Sequence, residues 1–323
     1  MKQVKLFFAT TSLAFCLVIT DSCSQTASTA SASAPVVFKA TTPCNDIIKT
    51  MLGIPVDTKC GMMKWNLTLF QDSKTSAPAG YNLIYEYGVD KQGTRGFNEG
   101  AKTIELKGKW TISKGTKEIP GAEVYNLIAD SSPVSLSFLK PDQNILHFLD
   151  QDKRLMIGTG AWSFTLNRVN PIPSSSAKFS PQTVSTPRIE TDSAIVGVFD
   201  GRTPCNSGLL ELNGISSNGC QIIKCRLILY QDSITHTPTS FQIYTVYVGK
   251  GDTRYSNTGK WKMLKGTKTD PGAIVYQLEP DSGKPQSLVL LKADNNILFF
   301  LDENTNHMVG DTYTSYTLNR AKK

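Results

Sequence analysis

The sequence predicts an all-β protein built of two tandem small antiparallel barrels of about eight strands each. The first reason is an internal duplication. Thr42-Pro43-Cys44-Asn45 and Thr203-Pro204-Cys205-Asn206 each open a stretch in which the same landmarks return in the same order. These are Gln71-Asp72 and Gln231-Asp232, Gly108-Lys109-Trp110 and Gly259-Lys260-Trp261, Lys114-Gly115-Thr116 and Lys265-Gly266-Thr267, and Phe148-Leu149-Asp150 and Phe300-Leu301-Asp302. Thr165-Leu166-Asn167-Arg168 and Thr317-Leu318-Asn319-Arg320 close the two copies. The second reason is periodicity: each copy holds short alternating runs between breakers, with almost no helical pattern. A closed barrel suits two adjacent copies, since it removes the strand edges along which they would pair or aggregate.

In the first copy, 35–39 is an expected strand and 45–54 a short helix or compact loop. Trp65, Leu67 and Leu69 alternate with Lys64, Asn66 and Thr68, and Leu83, Tyr85 and Tyr87 alternate with Asn82, Ile84 and Glu86. Both patterns suit half-buried antiparallel strands. Further strands are expected at 102–107, 109–113, 122–128, 134–139, 144–149 and 161–166. They are separated by Gly93 with Gly96, Lys114-Gly115, Pro120-Gly121, Ser132-Pro133, Pro141-Asp142 and Gly158 with Gly160. The second copy repeats the series from 194–199, through 221–230, to 314–319. It is shorter between Asp232 and Trp261 than the first copy is between Asp72 and Trp110, so that interval is a loop that tolerates deletion. Between the copies, residues 171–193 are rich in Pro, Ser and Thr and are expected to form an extended, exposed linker. With few apolar residues there to dock the barrels, the two are expected to fold independently.

Residues 1–22 have the layout of a secretory signal peptide: Lys2 and Lys5, then an apolar run over 6–19 and small residues. That run is too short for a membrane span, which needs about 20 residues in a helix. Cys23, followed by a Ser/Thr/Ala-rich stretch to Ala34, resembles the lipid-accepting cysteine of a bacterial lipoprotein, making 23–34 a lipid-anchored tether. Removing residues 1–22, which carry Lys2, Lys5 and Asp21, lowers the formal charge from +7 to +6. So mild a basicity, without a Lys/Arg block or interleaved aromatics, argues for solubility and against a nucleic-acid track.

Export places the cysteines in an oxidising compartment, where pairs at matching places in both copies are candidates for disulfides. Cys44 with Cys60 and Cys205 with Cys220 fit, each closing a loop of about 15 residues worth about 3 kcal/mol in the chain-entropy model. Cys225 is left over at the position of Trp65 and is expected to be a small buried hydrophobe.

A catalytic centre needs a nucleophile, a base and an orienting group that converge. His147 aligns with Phe299 and His307 with Leu155, while His236 lies in a Thr/Pro loop, so no histidine recurs in both copies. The expected role of each is a surface or strand histidine. Asp72, Asp150, Asp232 and Asp302 do recur, each at a strand end where turn chemistry favours Asp. A soft-metal site would draw on Met62 and Met63 beside Cys60, or on His307-Met308. The second copy replaces the first set with Gln221, Ile222 and Ile223, and core methionine is the expected role. Thr94-Arg95 and Thr253-Arg254 each follow a glycine-bearing turn at the expected barrel rim, where Arg95 and Arg254 would form a rim salt bridge or contact an anion or partner. Trp65, Leu67, Leu69, Tyr85, Trp110, Leu136, Phe138, Leu146 and Phe148 are the inward-facing candidates, bulky enough to fill a barrel of this size.

Phe199-Asp200-Gly201-Arg202-Thr203-Pro204-Cys205, an alternating strand ending in Gln231-Asp232, the Gly-Lys-Trp strand, a Leu-Asp turn and a final Tyr-Thr-Leu strand resemble the N-terminal domain of NlpE-type lipoproteins. The resemblance covers about 36–168 and 194–320, giving NlpE-like barrels at 35–170 and 194–321. It implies a lipocalin-like barrel and an outer-membrane lipoprotein facing the periplasm or the cell surface. That family typically carries a Cys-x-x-Cys after its Gly-x-x-Pro lead. Here the second cysteine follows some fifteen residues later, which leaves a structural disulfide in place of a copper or redox role. The function expected is a non-catalytic envelope lipoprotein without a cofactor, an interaction or envelope-stress-sensing module with an envelope protein as partner. The alternative is a carrier binding a lipid or other apolar ligand in a barrel lumen. A copper-binding or copper-resistance protein ranks below both.

Overall fold

The computed structural model describes residues 34–174, 176–186, 193–205, 208–281 and 287–322. The first copy comprises β1 (Val36–Pro43), α1 (Asp46–Met51), β2 (Met62–Gln71), β3 (Pro78–Gly88), β4 (Lys102–Lys114), β5 (Glu123–Ala129), β6 (Ser135–Lys140), β7 (Ile145–Leu149) and β8 (Thr165–Arg168). After β9 (Gln182–Ser185), the second copy repeats it. Its elements are β10 (Ser193–Thr203), α2 (Gly208–Asn213), β11 (Ile222–Asp232), β12 (Pro238–Val248), β13 (Thr253–Lys265), β14 (Ile274–Pro280), β15 (Leu288–Lys292), β16 (Ile297–Leu301) and β17 (Thr317–Arg320). β1 to β8 form a closed barrel with every sequential neighbour antiparallel, sealed where Phe38 faces Arg168. β10 to β17 do the same, sealed where Phe199 faces Arg320. The fold class is therefore as the sequence predicts.

The short helices follow from the cysteine-led segments. The Asn45 side chain accepts a hydrogen bond from the Ile48 amide at 3.0 Å, capping α1 and satisfying one of its free amides. Ile48 and Met51 then pack into the barrel core, as Leu209 and Leu212 of α2 do in the second barrel.

The Gly-Lys-Trp landmark has a steric origin. The strands expected at 102–107 and 109–113 are one strand, β4, whose first part pairs with β3 and whose last part pairs with β5, the change falling at Gly108. A Cβ on Gly108 would lie 2.0 Å from the Ile128 carbonyl oxygen, and one on Gly259 would lie 2.1 Å from that of Glu279. Glycine is what lets the backbones approach there. Two residues on, Trp110 and Trp261 turn inward and donate to the carbonyls of Phe70 and Tyr230 at 2.8 and 2.7 Å.

All nine inward candidates are buried in one core cluster. Phe148 lies 4.4 Å from Phe138 and 4.8 Å from Trp65 between ring centroids, so side chains occupy the axis of the first barrel. Phe241, Tyr247, Trp261, Phe300 and Tyr316 fill the second. A ligand lumen in either barrel would need the space these rings occupy.

The linker departs from its expectation. Gln182–Ser185 is extended and exposed, but it forms β9 and pairs with the end of β13. Asn144 also holds the chain just after β8, exchanging hydrogen bonds with the Ile172 amide and carbonyl at 2.7 and 2.9 Å. The two barrels also touch each other. They dock through their own walls, on strands whose outward positions are apolar or uncharged, rather than through the linker.

Candidate functional site

The seam between the barrels gathers residues from the last strands of both copies around a local two-fold relation. Asn167 on β8 and Asn319 on β17 hold equivalent places, and each reaches into the other barrel. The Gly310 amide donates to Asn167 Oδ1 and the Gly158 amide to Asn319 Oδ1, both at 2.8 Å. Asn167 Nδ2 donates to the Asp311 carbonyl at 2.9 Å, and Asn319 Nδ2 to that of Thr159 at 3.4 Å. Ser163 meets its counterpart Ser315 at 2.6 Å, and Thr165 meets Thr317 at 2.9 Å. This self-complementary pattern is that of an isologous dimer interface, realised within one chain. At its centre is a polar cavity of about 10 Å³, bordered by Thr165, Asn167, Thr317 and Asn319. It has room for about one water.

Beside the polar seam, Leu139, Ile145 and Leu149 pack with Ala293, Ile297 and Phe299 in a cluster shared by both barrels. The aligned pair His147 and Phe299 meet there, ring centroids 5.5 Å apart, and His307 stacks edge-on to the same Phe299 at 5.7 Å. His147 is a strand residue but fully buried. Its Nε2 donates to the Met156 carbonyl at 3.0 Å, and in the neutral ring that burial favours its Nδ1 accepts from Thr165 Oγ1 at 2.9 Å. Burial holds its pKa down at about 4. His307 is buried rather than on the surface, its Nδ1 3.4 Å from Asp142 Oδ2. Burial pushes the Asp142 carboxyl up, but the His307 contact and the amides of Asn144 and Ile145 outweigh this and leave it lowered. Only His236 is a loop histidine, held with φ of 56° in the hairpin between β11 and β12.

Because His147 is neutral in the folded chain and charges near pH 6.5 when unfolded, the unfolded chain binds the extra proton between those values. Stability from this group is full above about pH 6.5 and falls as pH drops to about 4, by about 3 kcal/mol in all. We expect urea midpoints of His147→Phe, which copies Phe299, to fall less over that range than those of the native chain. Parallel pH profiles would refute the assignment.

Between the barrels and open to solvent lies a groove of about 1070 Å³. Leu139, Leu291, Ala122 and Ala273 supply apolar walls, while Lys114, Glu123, Lys140, Asp142, Lys292 and Asp294 supply charges of both signs. Lys140 is already paired with Glu123 at 2.8 Å.

Of the residues singled out in the sequence, the cysteines pair as expected: Cys44 with Cys60 and Cys205 with Cys220, with Cα separations of 5.6 and 5.9 Å. Cys225 is free and buried, its thiol pushed up by desolvation and therefore not a ready nucleophile. Cys23 lies outside the described residues. Arg95 closes no rim salt bridge among the described residues. Its guanidinium stands over the Tyr313 ring of the second barrel at 4.6 Å, a cation–π contact across the seam. Arg254 is exposed on β13, facing Val246, and makes no equivalent contact among the described residues. The repeated carboxylates serve turns. Asp72, Asp150, Asp232 and Asp302 each accept two backbone amides from the residues that follow. Met62 and Met63 are buried core residues. Among the described residues no three His, Cys, Asp or Glu side chains are grouped to hold a metal.

These features define a tandem pair of closed eight-stranded barrels, each stapled by one disulfide and docked through a shared wall. Residues 216–311, within the second barrel, match the family model of the NlpE N-terminal domain. The first barrel shares its topology and landmarks. No curated protein and no solved structure matches the chain.

Proposed function

We propose that the chain is a non-catalytic, lipid-anchored lipoprotein of the bacterial outer membrane, in which two docked NlpE-type barrels act as an interaction or envelope-stress-sensing module. The observation that carries this reading is the filled interior of both barrels together with the NlpE match. Charged and polar residues recur in both copies as turn and seam elements, not as a converging nucleophile and base. What the fold offers a partner is surface: the groove between the barrels and the rims around it. The Cys23 anchor is tested by Cys23→Ser, which we expect to abolish lipid attachment and move the protein to the soluble envelope fraction. Unchanged processing and membrane association would place the anchor elsewhere. Copurification of the intact protein from its own envelope, with mass spectrometry of proteins and lipids, identifies the partner. An envelope protein recovered at fixed ratio supports the module. A lipid recovered without a protein partner would favour a carrier instead, using the groove and not a lumen.

A further inference from the structure

The two ends of the seam differ in charge. In the first barrel Thr41 on β1 faces Lys64 on β2, and in the second Arg202 on β10 faces Lys224 on β11. Thr41 and Arg202 hold equivalent places, each one residue before the Thr-Pro-Cys motif. Thr41 is buried and donates to the Thr312 carbonyl of the other barrel at 2.9 Å. Lys64 lies against rings, its Nζ 4.8 Å from the Phe97 centroid and 5.9 Å from that of Tyr313. Its charge is thereby matched, and this end of the seam is closed.

Arg202 puts a second cation where the first barrel has a threonine. It borders the polar cavity of the seam, it is half-buried, and its Nε is buried with no hydrogen-bond partner among the described residues. Lys224 is exposed and makes no ion pair or ring contact among the described residues. The carboxylates nearby are engaged elsewhere. Asp200, two residues before Arg202, holds Arg226 through two hydrogen bonds of 2.8 Å, and Asp311, on the same cavity, accepts the Tyr313 and Thr314 amides on its Oδ1. Like charges directly opposite on antiparallel strands have Cβ atoms about 5 Å apart and destabilise the pair. Burial lowers the Arg202 pKa, yet a guanidinium stays charged at neutral pH. This end of the seam therefore holds two adjacent cations, one of them partly desolvated, and a charge so placed calls for a counter-charge.

We propose that Arg202 and Lys224 bind a terminal phosphate group at the second-barrel end of the seam, the guanidinium fork taking two oxygens and the ammonium a third. A carboxylate would engage the fork and leave Lys224 unmatched, whereas a terminal phosphate has three acceptor oxygens and up to two negative charges, enough for both. Inorganic phosphate and the terminal phosphate of a lipid share this chemistry. The first barrel does not build the site, because Thr41 supplies no charge. The site does not depend on the Cys23 anchor.

Titration calorimetry of the full chain with inorganic phosphate at constant ionic strength tests this. Saturable binding is expected, weaker by about ten-fold or more in Arg202→Thr, which copies Thr41, and in Lys224→Gln, a change at an exposed position. Lys109→Thr, the same loss of charge at an exposed position of β4, should bind as the native chain does. A cooperative melt in phosphate-free buffer shows that each variant is folded. Cosedimentation with phosphatidylcholine vesicles, with and without phosphatidic acid, separates the two sources, on a Cys23→Ser background so that acylation is not the readout. Pelleting that requires phosphatidic acid and is lost in Arg202→Thr assigns the site to a lipid phosphate. Calorimetric binding without such pelleting assigns it to free phosphate. No saturable binding in either assay, or equal binding by the native and Arg202→Thr chains, would overturn the proposal. An equal loss in Lys109→Thr would also overturn it, since net charge and not this pair would then be the cause.

Discussion

Replacing Trp65 with alanine is expected to destabilise the first barrel by about 3–5 kcal/mol, the cost of removing a large buried aromatic and leaving a cavity. Trp65 is 2 % exposed, packs against Tyr85 and Phe148, and donates its indole N–H to Thr42 Oγ1 at 2.8 Å. The second barrel shows the same position carrying a smaller side chain. Cys225 stands there, its cross-strand partner is Thr245 where the first barrel has Tyr85, and the counterpart of Thr42, Thr203, buries a hydroxyl with no hydrogen-bond partner among the described residues. Tyr255, in edge contact with Tyr247 at 5.5 Å, takes up part of the space in that barrel. The first barrel has Ile104 at the position of Tyr255, so Trp65→Ala has no such substitute. Urea unfolding measures the loss. The same variant should bind a fluorescent apolar probe that the native chain does not. A cost below about 1 kcal/mol, or equal probe binding by both, would mean that the interior is not filled as described.

The second large effect is expected at the seam. Asn167→Ala strips partners from the Gly310 amide and the Asp311 carbonyl, and Asn319→Ala does the same to the Gly158 amide and the Thr159 carbonyl. Leaving buried groups unpaired costs about 1–3 kcal/mol each time, so either change should lower stability by about 2–3 kcal/mol. The two-fold relation makes a sharper demand, that the two costs be similar although the residues lie in different barrels. Denaturant unfolding of both variants checks it. A change within about 0.5 kcal/mol of the native chain for either would remove that asparagine from the seam.

Much of this was legible because duplication and alternation are local signals. Trp65, Leu67 and Leu69 announced a half-buried strand, and the matched cysteines announced their partners, since both signals depend on spacing within one copy. The seam was not legible in the same way. Asn167 and Asn319 were visible as a repeated motif, but an asparagine on a closing strand serves a turn, an edge or an interface equally well. His147 looked incidental because its counterpart is Phe299, yet the two differ because they touch each other. A residue that meets its own repeat cannot keep both copies identical without a histidine facing a histidine. β9 was hidden by composition, since Gln-Thr-Val-Ser in a Ser/Thr-rich stretch has the makeup of a linker and becomes a strand only through the edge it meets.

Amide hydrogen exchange at Gly158 and Gly310 tests most directly whether the two filled barrels form one docked body. Each of these loop amides is bonded to an asparagine of the other barrel and lies outside the strand ladders. Docking predicts that both are protected to a similar degree and lose that protection together when Asn167 and Asn319 are replaced. Exchange of both at the rate of an open loop in the native chain would contradict it.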